Sequence, residues 1–116
     1  MSKAIDYEES SGNVFADLGV PEPEEALLKS DLATRVSQLI EERHLTQKEA
    51  AKLLQVAQPN ISKLTRGELR GFSVGRLMRF LVALGQNILV VVRPHTSPND
   101  RAGVRTDFAD RLLSKP

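Results

Sequence analysis

The chain contains no cysteine and no tryptophan. Without thiols it has neither disulfide staples nor thiolate metal ligands, which fits a reducing cytoplasm. Aromatic rings are scarce, four Phe and one Tyr in 116 residues, so a single domain of this length needs an aliphatic core of Leu, Val, Ile and Ala. No apolar run, Ile88 to Val92 included, approaches the ~20 residues that span a bilayer. Asp6, Glu8 and Glu9 stand where a secretory leader needs a basic start and an apolar stretch. A cytoplasmic protein with no membrane partner is therefore expected. The two histidines, His44 and His95, have no His-x-x-x-His spacing and no cysteine to join, so no metal is expected. A Gly-rich phosphate loop, a nucleophile elbow and paired catalytic carboxylates are missing too, since Glu41 and Glu42 are neighbours on a helix and point apart. The sequence predicts no enzyme, no catalytic residue and no cofactor.

The net charge of +1 conceals an asymmetry. Residues 1–31 carry eight acids and two lysines, giving −6, whereas residues 32–116 carry fourteen Lys and Arg against seven acids, giving +7. A basic body suits phosphate binding on one surface and leaves the acidic arm for another task. The plainer reading of the arm is a solvated, disordered lead-in.

Residues 1–20 hold few large apolar residues and read as a flexible arm, apart from the cluster Val14, Phe15, Leu18 and Val20. Pro21 and Pro23 punctuate a helix start, with Glu22, Glu24 and Glu25 favourable in its first turn. Leu28, Leu32, Val36, Leu39 and Ile40 recur at helical spacing to about Arg43, which predicts a helix of about twenty residues. Further on, Ser73 caps a helix marked by Val74, Leu77, Phe80, Leu81 and Leu84 and ended by Gly85. Ile88, Leu89, Val90, Val91 and Val92, closed by Arg93–Pro94, are β-branched at four of five positions and read as a strand. A strand needs a ladder partner, and pairing with the same strand of a second copy is the simplest solution. A strand tucked against its own helices, or paired with the arm, is the alternative. The tail 96–116 is a loop with room for a short helix over 107–113.

Between these helices lies TQKEAAKLLQVAQPNISKLTRG, Thr46 to Gly67. Thr46 and Glu49 form a capping box, in which each side chain accepts from the other's backbone N–H. The helix they open runs to about Leu54 and turns Ala50, Leu53 and Leu54 inward, with Ala51 small where a second helix crosses. Pro59, with φ fixed near −65° and no N–H to leave unpaired, suits the first turn of that second helix. Ile61 and Leu64 face the core, and Gln58, Asn60, Lys63 and Arg66 remain on the other side. Two short helices joined by a tight turn, the second with amide and ammonium side chains outward, make a helix-turn-helix built to read DNA. Glutamine and asparagine pair with adenine and lysine with guanine.

The segment resembles the Cro/repressor-like, or XRE, helix-turn-helix class, whose pattern runs TQ, acidic, A, L, a G-V-S turn, then a polar recognition helix ending in RG. QPNISKLTRGELRGFSVGRLMRFLVALGQNILVVVRP is similar to the branch that contains HigA-type antitoxins, through QP-x-[IV]-S-x-L-x-RG, GFS, RL-x-RFL-x-ALG and VVRP; SSGNVFADLGVPEPEE resembles that branch's lead-in. The likeness covers roughly 11–94. Two positions depart from the class pattern. Gln55 stands where the turn usually carries glycine at positive φ, at a cost on the order of 1–2 kcal/mol if that geometry is kept. Ala57 stands where a capping side chain is usual, forgoing ~1 kcal/mol.

The resemblance places base-reading residues at Gln58, Pro59, Asn60 and Lys63, and an amide to the phosphate backbone at Gln47. Lys48, Arg66, Arg70 and Arg76 are further phosphate candidates. The fold expected is all-α: five helices in a Cro/repressor-like domain over 21–95, with one short C-terminal strand, 88–92, pairing across a homodimer. The expected function is a sequence-specific repressor of an inverted-repeat operator on double-stranded DNA. By resemblance it is the antitoxin of a type II toxin–antitoxin module, neutralising a small basic RelE-like ribonuclease of HigB type and repressing its own operon. Val14, Phe15, Leu18, Glu22, Glu24 and Glu25 are the toxin-facing candidates, because RNA-cleaving proteins present basic clefts. The alternatives are a free-standing or phage-like regulator without a toxin, and an interaction module that has lost DNA binding.

Overall fold

The computed structural model describes residues 23–96 and 103–108. Among them are four helices: α1 Pro23–Glu42, α2 Gln47–Leu54, α3 Gln58–Thr65 and α4 Val74–Ala83. None is long and apolar enough to cross a membrane. The expected first helix is present at the expected length of 20 residues, with Glu24 and Glu25 in its first turn. It lies across α3 and α4, and α2 packs on α3 and on the flank of α4. Their shared core is aliphatic apart from Phe72 and Phe80, whose rings meet edge to face at 6.2 Å. Val36, Ile61, Leu64, Leu77 and Leu84 are its fully buried large side chains. Each of the four helices therefore contributes a stripe that only the other three can cover, which is why such short elements persist.

All four helices end the same way. A 6→1 and a 5→2 backbone hydrogen bond close each last turn: Leu45 to Ile40 and His44 to Glu41, Val56 to Ala51 and Gln55 to Lys52, Glu68 to Lys63 and Gly67 to Leu64, Gln86 to Leu81 and Gly85 to Val82. The motif needs one residue in the left-handed region. Gly67 and Gly85 supply it without strain, whereas His44 (φ 55°) and Gln55 (φ 59°) adopt it with a side chain. The positive φ expected at Gln55 is thus present; its counterpart at His44 went unforeseen.

Two expectations about the fold are corrected. Five helices and a strand were expected, and the described residues form four helices and no strand. Residues 88–92 run as irregular chain with Ile88 38%, Leu89 67%, Val90 70%, Val91 65% and Val92 89% exposed. β-Branching favours a strand, but among the described residues no ladder forms, and propensity cannot supply the missing hydrogen bonds. The tail had room for a short helix over 107–113; Asp107 and Phe108 are not helical, and 109–113 lie outside the described residues. Residues 103–108 instead lie on α1: the Thr106 hydroxyl donates to Asp31 Oδ2 at 2.7 Å, and the Arg35 guanidinium sits 5.9 Å from the Phe108 ring centre. The acidic arm, with Val14, Phe15, Leu18 and Glu22, also lies outside the described residues.

Candidate nucleic-acid interface

The α2–turn–α3 unit is fixed from both ends. At its start the Glu49 N–H donates to Thr46 Oγ1 at 3.0 Å and the Thr46 N–H to Glu49 Oε1 at 2.8 Å, closing the capping box. Ala50, Ala51 and Leu54 seat α2 on the core. Leu53, expected inward, is 40% exposed; at 100° per residue it lies about a quarter-turn off that buried stripe. The turn carries Gln55 in the left-handed region, and Ala57 caps α3 with no side-chain hydrogen bond. Pro59 stands in the first turn of α3, where its missing N–H leaves nothing unpaired.

With Ile61 and Leu64 sunk into the core, α3 presents its other face outward. Gln58, Pro59 and Lys63 are exposed, and Asn60 is half-buried. All four base-reading candidates thus occupy the helix whose inner residues are 1% and 2% exposed, so the row is polar and rigidly carried. Gln47 and Lys48 are exposed at the amino end of α2, and Arg70 is exposed in the loop after α3.

Two of the phosphate candidates are engaged within the protein. The Arg76 guanidinium lies 5.1 Å from the Phe72 ring centre and 5.6 Å from that of Phe80, and donates weakly to the Gly71 carbonyl at 3.4 Å. A cation stacked on two rings is held in place, which makes Arg76 part of the scaffold first. Arg66 donates from Nε to Glu68 Oε2 and from its NH2 group to Glu68 Oε1, both at 3.1 Å, and from its NH1 group to Ser62 Oγ. That fork holds the Glu68 carboxyl below the usual carboxylate range, chiefly through the hydrogen bonds and then through the Arg66 charge, with Lys63 adding a smaller effect. The reciprocal pull raises Arg66. Sequence reading missed Glu68, although a signal was present: it is the one acid between Glu49 and Asp100.

Of the acidic candidates on α1, Glu25 is exposed and lies 3.8 Å from Lys29. The Glu24 carboxylate sits against Gly103, where an added Cβ would come within 3.0 Å of Oε2. Among the described residues no three His, Cys, Asp or Glu side chains gather into a potential metal site.

Comparison with known proteins agrees with this geometry. The model of a family described as "Helix-turn-helix domain" matches residues 14–93. A solved structure of a protein described as an XRE family transcriptional regulator aligns at 39% identity and a TM-score of 0.65, over 75% of this chain and 96% of that one. None of the curated proteins matches. With the capping box, the turn and the outward polar row all in place, the chain belongs to the XRE family of helix-turn-helix proteins.

Proposed function

We propose that the chain is a sequence-specific DNA-binding repressor, with α3 entering the major groove. The carrying observation is the row Gln58, Pro59, Asn60 and Lys63, set outward on a helix whose opposite side, Ile61 and Leu64, is locked in the core. Asn60 and Gln58 offer amides with the donor–acceptor pair that adenine presents, and Lys63 offers an ammonium to guanine O6 and N7. Pro59 offers an apolar contact, for instance to a thymine methyl. Gln47, Lys48 and Arg70 supply phosphate contacts, which give affinity and salt dependence. The test is binding of the chain to the DNA upstream of its own gene. A protein indifferent to duplex at low ionic strength would refute this reading and favour an interaction module.

A homodimer follows from the same logic. Two copies related by a two-fold axis read an inverted repeat with recognition helices ~34 Å apart. The exposed apolar stretch Ile88, Leu89, Val90, Val91 and Val92 is the candidate contact between copies, because exposed apolar side chains mark interaction surfaces when they gather.

The finer reading, an antitoxin of HigA type, rests on the signatures spread over 11–94 and on the acid-rich stretch around Val14–Glu25. A basic ribonuclease cleft is the partner that such an arm complements. Deleting residues 1–20 should abolish binding to the product of a small basic reading frame next to this gene and leave DNA binding intact. The solved relative, described as a transcriptional regulator, favours the second reading, a free-standing regulator. Lack of such a neighbouring frame would select it.

A further inference from the structure

Between Glu49 and Asp100 the chain carries seven Lys and Arg residues and a single acid, Glu68. That acid lies just past the recognition helix, and its position there is unexpected. A carboxylate at the edge of a DNA-binding face repels phosphate, and by composition alone the surface would be better without it. The structure gives the carboxylate a defined task. Both oxygens are occupied by Arg66, through Nε and the NH2 group at 3.1 Å each, and the NH1 group is turned to Ser62 Oγ on α3. The backbone fixes the acid as well, because the Glu68 N–H closes α3 by donating to the Lys63 carbonyl at 2.9 Å. Lys63, the base-reading ammonium, contributes to the field on the same carboxylate.

We propose that Glu68 is a specificity-determining residue that acts by withholding Arg66 from non-cognate phosphates. This rests on the reading of α3 as a DNA-recognition helix. In the free protein the guanidinium spends one face of its fork on a carboxylate and another N–H on Ser62, and its charge is neutralised locally. A random duplex offers Arg66 a phosphate only in exchange for a bidentate carboxylate, and brings that phosphate close to the Glu68 charge. The exchange removes most of the electrostatic gain, so Arg66 adds little to sequence-independent binding. On a cognate site, where the bases satisfy Gln58, Asn60 and Lys63, those contacts hold the helix in the groove whether or not Arg66 is released. The acid thus lowers affinity everywhere but lowers it most where binding depends on charge alone. Both side chains are over half exposed, so solvent screens the pair and limits the effect to a few-fold, while the same exposure leaves Arg66 open to a phosphate.

The test uses the full chain and its Glu68→Gln variant on two probes: a random-sequence duplex, and a site enriched from a random pool by the wild-type protein. With E68Q the random-duplex affinity should rise roughly three- to tenfold. Its log–log salt slope should steepen by about 0.9 per protomer, the signature of one more neutralised phosphate. The ratio of enriched-site to random affinity should fall. In an R66A background the same change should lose most of this gain, which separates the grip on Arg66 from a general charge effect. An unchanged or lower random-duplex affinity, an unchanged slope, or an undiminished gain in R66A overturns the role of Glu68. If the wild-type chain binds neither probe, the reading of α3 itself fails.

Discussion

The outer row of α3 and the run Ile88–Val92 are both short exposed stretches of this molecule, and they differ in what holds them. Gln58, Pro59, Asn60 and Lys63 are polar or small side chains on a helix anchored by Ile61 and Leu64, at 1% and 2% exposure. Ile88 to Val92 are apolar at every position, reach 89% exposure at Val92, and belong to no helix or ladder. A polar row on a packed helix is content in water while awaiting a ligand. An apolar run without a scaffold loses about 25 cal/mol for each Å² left wet. One region is held ready for the DNA contact proposed above, and the other is the proposed contact between copies.

The largest expected effects strike these two regions separately. Asn60→Ala with Lys63→Ala should weaken binding to an enriched site by about 2–6 kcal/mol, since each good base contact is worth ~1–3, while the melting temperature stays close to wild type. Val90→Asp should do the reverse of this division: the monomer stays folded, sedimentation shows loss of the dimer, and affinity for an inverted repeat drops while that for a half-site is retained. If Val90→Asp leaves the oligomeric state untouched, the apolar run is not the contact between copies, and the comparison loses its second half.

Smaller effects come from the turn that aims α3. Gln55 sits at φ 59° and ψ 48°, a region costly for side chains other than glycine. Gln55→Gly should raise stability by about 1 kcal/mol, read from chemical denaturation, and His44→Gly at φ 55° should behave alike. The opposite substitution, Gly67→Ala at φ 79°, should cost a similar amount through backbone strain alone, because the added Cβ meets no other part of the chain within 4 Å. Stabilisation at 55 without a change in DNA affinity would mean that the turn's strain has no share in positioning the recognition row.

What was legible in the sequence divides along the same line. Capping and periodicity are local: Thr46 with Glu49, Pro59, Ser73 and the stripe from Leu28 to Ile40 specified the helices nearly to the residue. The inward face of α3 followed from Ile61 and Leu64 alone. Leu53 was misplaced because an eight-residue helix leaves its flanks ambiguous. The β-branched run misled because a strand is a relation between two segments, and one segment carries no record of the other. Arg76 and Arg66 read as phosphate candidates because the stacking on the rings at 72 and 80, and the fork on the nearby Glu68, take shape only in the folded chain. His44 went unnoticed as a left-handed residue because the helix end, not the residue type, imposes that geometry.

The smallest expected effect concerns the Arg66–Glu68 pair as a stabilising element. Its hydrogen bonds hold the Glu68 carboxyl below the ordinary range, so the folded state binds this proton less readily than the unfolded chain does. The sign follows directly: the contribution is present above the unfolded carboxylate's titration and is lost as pH falls through the lowered folded value. Glu68→Gln should therefore leave neutral-pH stability nearly unchanged, as expected for a pair more than half exposed, and should slightly flatten the acid limb of a stability–pH profile. Asn60→Ala, on the same helix, should give no such change in the acid limb, and Lys63→Ala only a smaller one, since Lys63 adds less than Arg66 to the pull on Glu68. A large loss of neutral stability in E68Q would mean the ion pair holds the helix end together, and Glu68 would then act through the fold rather than through the charge it takes from Arg66.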